Sequence, residues 1–119
     1  MERIQFVRHN GKEILLLDFS RCTAKDALVI IDEAAATIRT RPQQSLLTLA
    51  DVTDMRFDNT LNQRMKEFTA HNKPYVKAAA VVGVTGLKKI LFQAVMTFSK
   101  RKIHAFDDRE AAKAWLITQ

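Results

Sequence analysis

The sequence predicts one α/β domain spanning residues 1–119, with a mostly parallel sheet and an N-terminal β-hairpin. Three observations carry this. Asn10-Gly11 separates two alternating or apolar segments, the strongest short-range hairpin signal. Val76–Val82 is an almost uninterrupted apolar run bounded by Pro74 and Gly83, the composition of a strand buried on both faces. After the hairpin, every strand-like segment is followed by a helix-like one. The resulting order is β-β-α-β-α-β-α-β-α, as parallel strands require crossover connections. No linker-like stretch and no internal repeat divides the chain.

Each element has its own local cause. Ile4–His9 alternates, with Ile4, Phe6 and Arg8 on one side and Gln5, Val7 and His9 on the other. Glu13–Phe19 is the second strand, centred on Ile14-Leu15-Leu16-Leu17. Thr23 and Asp26 form a variant capping box, with Asp in place of Glu. Leu28, Ile31, Ala35 and Ile38 recur at three- and four-residue steps, so a first helix follows. Arg39 and Arg41 suit its negative end, and Pro42 stops it. Leu46–Ala50 is a short apolar strand. Asp58 caps a second helix with Leu61, Met65 and Phe68 inward, which ends at Lys73-Pro74. Gly83-Val84-Thr85-Gly86 turns into a third helix, Leu87 to about Lys100. Ile103–Phe106 is the last strand, and Asp107 with Glu110 caps a final helix carrying Ala111, Ala112, Trp115 and Leu116 inward.

Composition narrows the function. Nineteen basic residues against thirteen acidic give a net charge of +6. The basicity is local. Between Phe68 and Phe106 there is no Asp or Glu, but there are Lys73, Lys77, Lys88, Lys89, Lys100, Arg101 and Lys102. The single cysteine, Cys22, excludes an internal disulfide and fits a reducing cytoplasm. The N-terminus lacks a signal-peptide core, and no apolar run approaches the ~20 residues of a transmembrane segment. Nucleic acid is not an expected partner. There is no RNP-like run or finger spacing, and Tyr75 is the one aromatic expected to be exposed beside the lysines.

In a parallel sheet, ligands usually bind at the end where the strand C-termini point. Lys88 and Lys89 lie at that end, where the helix dipole opposes them. Free N–H groups around Gly83, Thr85 and Gly86 can cradle an anion there. The spacing is neither a P-loop nor a dinucleotide fingerprint. Gly83, Thr85, Gly86, Lys88 and Lys89 are therefore a candidate anion site; a tight strand-to-helix turn is the plain alternative. Lys73, Lys77, Lys100, Arg101 and Lys102 belong to the opposite end. There they are either solvated helix-end charges or a docking surface.

No catalytic set emerges. Asp51, Asp54 and Asp58 are read as turn and cap residues rather than as metal ligands. His9, His71 and His104 have no ligand spacing, and Cys22 has no histidine beside it in sequence. No cofactor is expected. The third helix is broader in apolar surface than one core-facing stripe needs. Leu87, Ile90, Leu91, Ala94, Val95 and Phe98 make the expected inner face. Phe92 and Met96 widen it and are the candidate interface, buried by a second chain, by neighbouring helices or by a greasy ligand.

The opening hairpin, the helix Ala24–Thr40, the strand Ser45–Asp51 and the ending Phe106-Asp107-Asp108-Arg109-Glu110-Ala111-Ala112-Lys113-Ala114-Trp115-Leu116 together resemble the SpoIIAA-like branch of the STAS family. The resemblance covers essentially the whole chain and is related in fold to CRAL-TRIO lipid-binding domains. It implies a non-enzymatic regulatory module acting through protein–protein contact, without cofactor or turnover. Antagonists in the family carry a D-S-[ST]-G-like switch motif whose serine is phosphorylated. The corresponding stretch here is Asp58-Asn59-Thr60-Leu61, with Asn59 in the acceptor position and no glycine. Asp58, Asn59 and Thr60 are thus a candidate switch loop that lacks its serine. The leading expectation is a cytoplasmic binding module with a protein partner or self-association. The alternative is a carrier of an anionic or amphipathic small molecule or lipid, its head at the Gly83–Lys89 turn.

Overall fold

A computed structural model describes residues 2–119. Its elements are β1 (Ile4–His9), β2 (Lys12–Asp18), α1 (Ala24–Ile38), β3 (Leu46–Asp51), α2 (Asn59–Asn72), β4 (Val76–Val82), α3 (Lys88–Ser99), β5 (His104–Phe106) and α4 (Arg109–Leu116). The order is the predicted one. β1 and β2 pair antiparallel, from Ile4 opposite Leu17 to His9 opposite Lys12. Asn10 and Gly11 both take positive φ, 49° and 82°, as a two-residue hairpin turn demands. All other pairings are parallel.

The strands lie in the sheet in chain order, β1-β2-β3-β4-β5. Right-handed crossovers that always step the same way put their helices on one face. α1 and α2 pack with Leu15, Leu17, Phe19 and Ala79 there, and α3 lies beside α2. α4 covers the other face through Ala112 and Leu116, against Ile14, Leu16, Leu49 and Val82. The alternation of β2 explains both cores: Leu15 and Leu17 point to one, Ile14 and Leu16 to the other. Because the strand order never reverses, the sheet has no topological switch point. The crevice in which open α/β sheets usually hold ligands is therefore missing.

Two local expectations are corrected. The cap of α4 is Asp108, whose carboxylate accepts from Ala111 N–H at 2.8 Å, and Asp107 lies outside. The acid that stands three residues before a free helix N–H makes the cap, and Asp108 is the one in register. Arg41 does more than suit a helix end. Its guanidinium lies over the Phe6 ring at 4.1 Å and meets Glu13 at 3.5 Å. Thr23 and Asp58 cap α1 and α2 as expected.

α3 is the largest departure. Its buried residues are Val95 and Ser99. Leu87, Ile90 and Phe98, expected inside, are 71%, 69% and 52% exposed. An apolar stripe wider than half a helix does not fix the helix's rotation, since several orientations bury similar area. The turn decides it instead. Lys88, Lys89 and Ile90 donate to Thr85, Gly86 and Leu87 carbonyls in a tight i to i−3 start. Lys88, Leu91, Phe92 and Val95 then face inward.

Candidate functional site

Three places on the molecule hold chemistry worth building up. The first is an ion network at the C-terminal ends of β2 and β3. Asp18 and Asp51 sit opposite one another in the parallel register. Two adjacent carboxylates repel, so the arrangement needs a cation. Arg109, the first residue of α4, supplies it: Nε meets Asp51 at 2.7 Å and an Nη meets Asp18 at 3.2 Å. Arg3 adds a contact to Asp18 at 3.5 Å. Ser20 and Thr53 close the turns by donating to Asp18 and Asp51 respectively. Burial raises both acids' pKa values, and it is the largest single effect. The hydrogen bonds and Arg109 together outweigh it, so both carboxyls fall below their usual value. Arg109 is correspondingly held more basic: burial opposes its charge, but Asp51 and Asp18 favour it more. These are locked ions, poorly suited to moving protons at neutral pH. Sequence reading missed this network. The available signal was an Asp at the end of each of two consecutive parallel strands.

The second place is the Gly83–Lys89 turn. Gly83 has φ +91° and Gly86 φ +58°. The two lysines separate. Lys88 is half-buried and lines the space beneath α3, whereas Lys89 points outward beside Ile90 and Gln93. Among the described residues neither has a carboxylate partner. The N–H groups of both lysines are already bonded to Thr85 and Gly86, which leaves fewer for an anion. Thr85 is exposed. Asp58, Asn59 and Thr60 are exposed at the start of α2, with the Asp58 carboxylate committed to Leu61 N–H at 2.8 Å.

The third place is α3 itself. Its outer side is a shallow apolar surface of Ile90, Ala94 and Phe98 bordered by Lys89, Gln93 and Thr97. Phe92 and Met96 are half-buried. Beneath the helix is a cleft of about 120 Å³ between α2, α3 and the sheet. Its walls are apolar, and Phe92 is one of them. Arg101 lines the end opposite Lys88. The solvated-end reading of Arg101 is corrected here. The side chain folds back under α2, and Nη1 donates to the Thr69 carbonyl at 3.2 Å. Burial pushes its pKa down to about 10, so it remains cationic at neutral pH.

The remaining reactive groups are occupied. Cys22 is buried, and that burial raises its thiol pKa, which disfavours a nucleophilic thiolate. His104 stacks on Trp115 at 4.4 Å, and His71 Nδ1 lies 3.0 Å from Asn72 Oδ1. Among the described residues no three His, Cys, Asp or Glu side chains are grouped to hold a metal. No helix among them is long and apolar enough to cross a membrane.

Comparison with curated proteins and with solved structures finds no match. A family model described as SpoIIAA-like matches residues 9–117. That span runs from the end of β1 to just past α4 and includes Asp18, Asp51 and Arg109 of the ion network, and the cleft. With nearly its whole length matched, and with the element order such a domain requires, the chain belongs to the SpoIIAA-like family.

Proposed function

We infer that the protein is a non-enzymatic, cytoplasmic regulatory module that docks a protein partner through the outer face of α3. Family membership supports the regulatory class. The observation that carries the docking face is the exposure of Leu87 and Ile90, 71% and 69%, on neighbouring turns of one helix. Ala94 and Phe98 extend the stripe, whereas Phe92, half of the expected interface pair, faces the cleft on the other side of α3. Contiguous apolar surface of this kind, rimmed by polar groups, is what interfaces use. The rim includes Lys89 and lies near Lys100, so a partner with an acidic border around an apolar groove fits it best. A second copy would set like charges against each other, which makes self-association the weaker form of the reading.

Replacing Leu87 and Ile90 with Glu leaves folding within about 0.5 kcal/mol of wild type, because both already face water. It abolishes partner binding. Loss of folding in this variant, seen as a collapsed urea midpoint, counts against the face being free.

The switch loop enters the same reading. Asn59 occupies the acceptor position and cannot carry a phosphate ester, so antagonist-type phosphorylation is absent. Incubation with a cognate kinase followed by mass spectrometry yields no stoichiometric phosphate. Full occupancy on Thr60 or Thr53 contradicts this.

The carrier reading, with an anionic head at the Gly83–Lys89 turn, draws on Lys88, the member of the lysine pair that lines the cleft.

A further inference from the structure

Arg101 lines an apolar cleft, yet among the described residues no carboxylate pairs with it. Arg101 is half-buried, and no side-chain nitrogen among the described residues is both buried and unpaired, so its remaining N–H groups open onto accessible space, where an anion is the fitting partner. The Thr69 carbonyl takes one N–H, at 3.2 Å. That bond satisfies an orphan carbonyl in the last turn of α2, but it leaves the rest of the planar donor fork free. Asn72 stands three residues on from Thr69, on the same side of α2. It is 4% exposed and lines the same cleft. Its Oδ1 faces His71 Nδ1 at 3.0 Å, and its amide N–H groups have no acceptor among the described residues. Both side chains therefore line one apolar cleft with accessible donors that no protein group takes up.

We propose that this cleft binds a small apolar monocarboxylate, with its carboxylate held by Arg101 and the Asn72 amide and its body against Leu61, Met65, Phe68, Leu91 and Phe92. A planar carboxylate matches the guanidinium fork, which can donate two parallel N–H bonds to it. A single negative charge neutralises Arg101. A dianion would leave excess charge among apolar walls. The cleft's volume, about 120 Å³, favours a small body. An apolar cavity of about 150 Å³ takes up benzene, so a group of that size is the upper range. Lys88 is too remote to share such a ligand: α3 separates it from Arg101 by roughly 18 Å at 1.5 Å per residue. The site is independent of docking by the outer face, which is on the far side of the same helix.

Benzoate and hexanoate test this, with benzamide as the neutral isostere of benzoate. Titrated into the wild-type protein, both carboxylates raise the melting temperature and shift the Asn72 side-chain amide signals in NMR spectra, and benzamide does neither. In Arg101→Gln the benzoate Kd weakens roughly tenfold or more, the loss of a charge-assisted bond. Should Arg101→Gln fail to fold, the benzoate–benzamide comparison on wild type decides alone. Three results overturn the proposal: neither carboxylate binds, benzamide binds as tightly as benzoate, or a folded Arg101→Gln binds benzoate unchanged. If the last is seen, Arg101 serves only to cap α2.

Discussion

Gly83→Ala lowers stability by about 3 kcal/mol, a drop of roughly 10 °C in melting temperature for a domain of this size. Two causes add. The backbone at Gly83 has φ +91°, where a side chain is strained. A Cβ there would also come within 2.6 Å of the Thr53 Cα, so one of two neighbouring backbone segments must move. Those segments are the ends of β3 and β4, where Val52 N–H donates to the Val82 carbonyl at 2.8 Å. Gly86→Ala is the internal control. Its φ is +58° and no atom lies within 4 Å of the added methyl, so the cost is about 1 kcal/mol. Urea unfolding of both variants checks the pair. Equal losses would show that steric contact with Thr53 contributes nothing.

Arg109→Met is the second large effect. It removes the cation shared by Asp18 and Asp51 and leaves two adjacent, mostly buried carboxylates facing each other. Breaking a fully buried pair costs about 3–5 kcal/mol, and Arg109 keeps a third of its side chain in water, so about 2 kcal/mol is expected here. The pH dependence follows from the same groups. Both acids have folded-state pKa values below the unfolded value. Their stabilisation is therefore present above about pH 4 and is lost as pH falls through the folded values. Wild type loses stability on acidification below that point. Arg109→Met loses less over the same range, because the hydrogen bonds from Ser20 and Thr53 still lower the two pKa values but the share that Arg109 adds is gone. Urea midpoints at neutral and acid pH measure the difference. Parallel pH profiles for the two proteins would mean the network is not what holds the acids ionised.

The fold was legible because it rests on short-range chemistry. Asn10-Gly11 dictates the hairpin, Thr23 and Asp58 stop competing conformations at two helix starts, and Pro74 and Gly83 bracket β4. The functional surfaces were harder to read for a physical reason. Periodicity places residues around a helix axis but does not rotate the helix, so the width of α3's apolar stripe signalled excess surface without saying which side was excess. Arg101 sits in a run of basic residues that sequence alone treats alike. What sets it apart is its reach back to the Thr69 carbonyl, a tertiary contact. Arg109 likewise acquires its role only when the register brings Asp18 beside Asp51.

The docking account is tested most directly by measuring the Kd of the purified protein for the partner that co-purifies with it from its own cells, in wild type and in Leu87→Glu/Ile90→Glu. The account predicts a stoichiometric complex whose affinity falls by about a hundredfold or more in the variant, with both proteins equally folded, since central apolar contacts dominate interfaces. An affinity unchanged by the two substitutions would contradict it and move the functional surface away from α3.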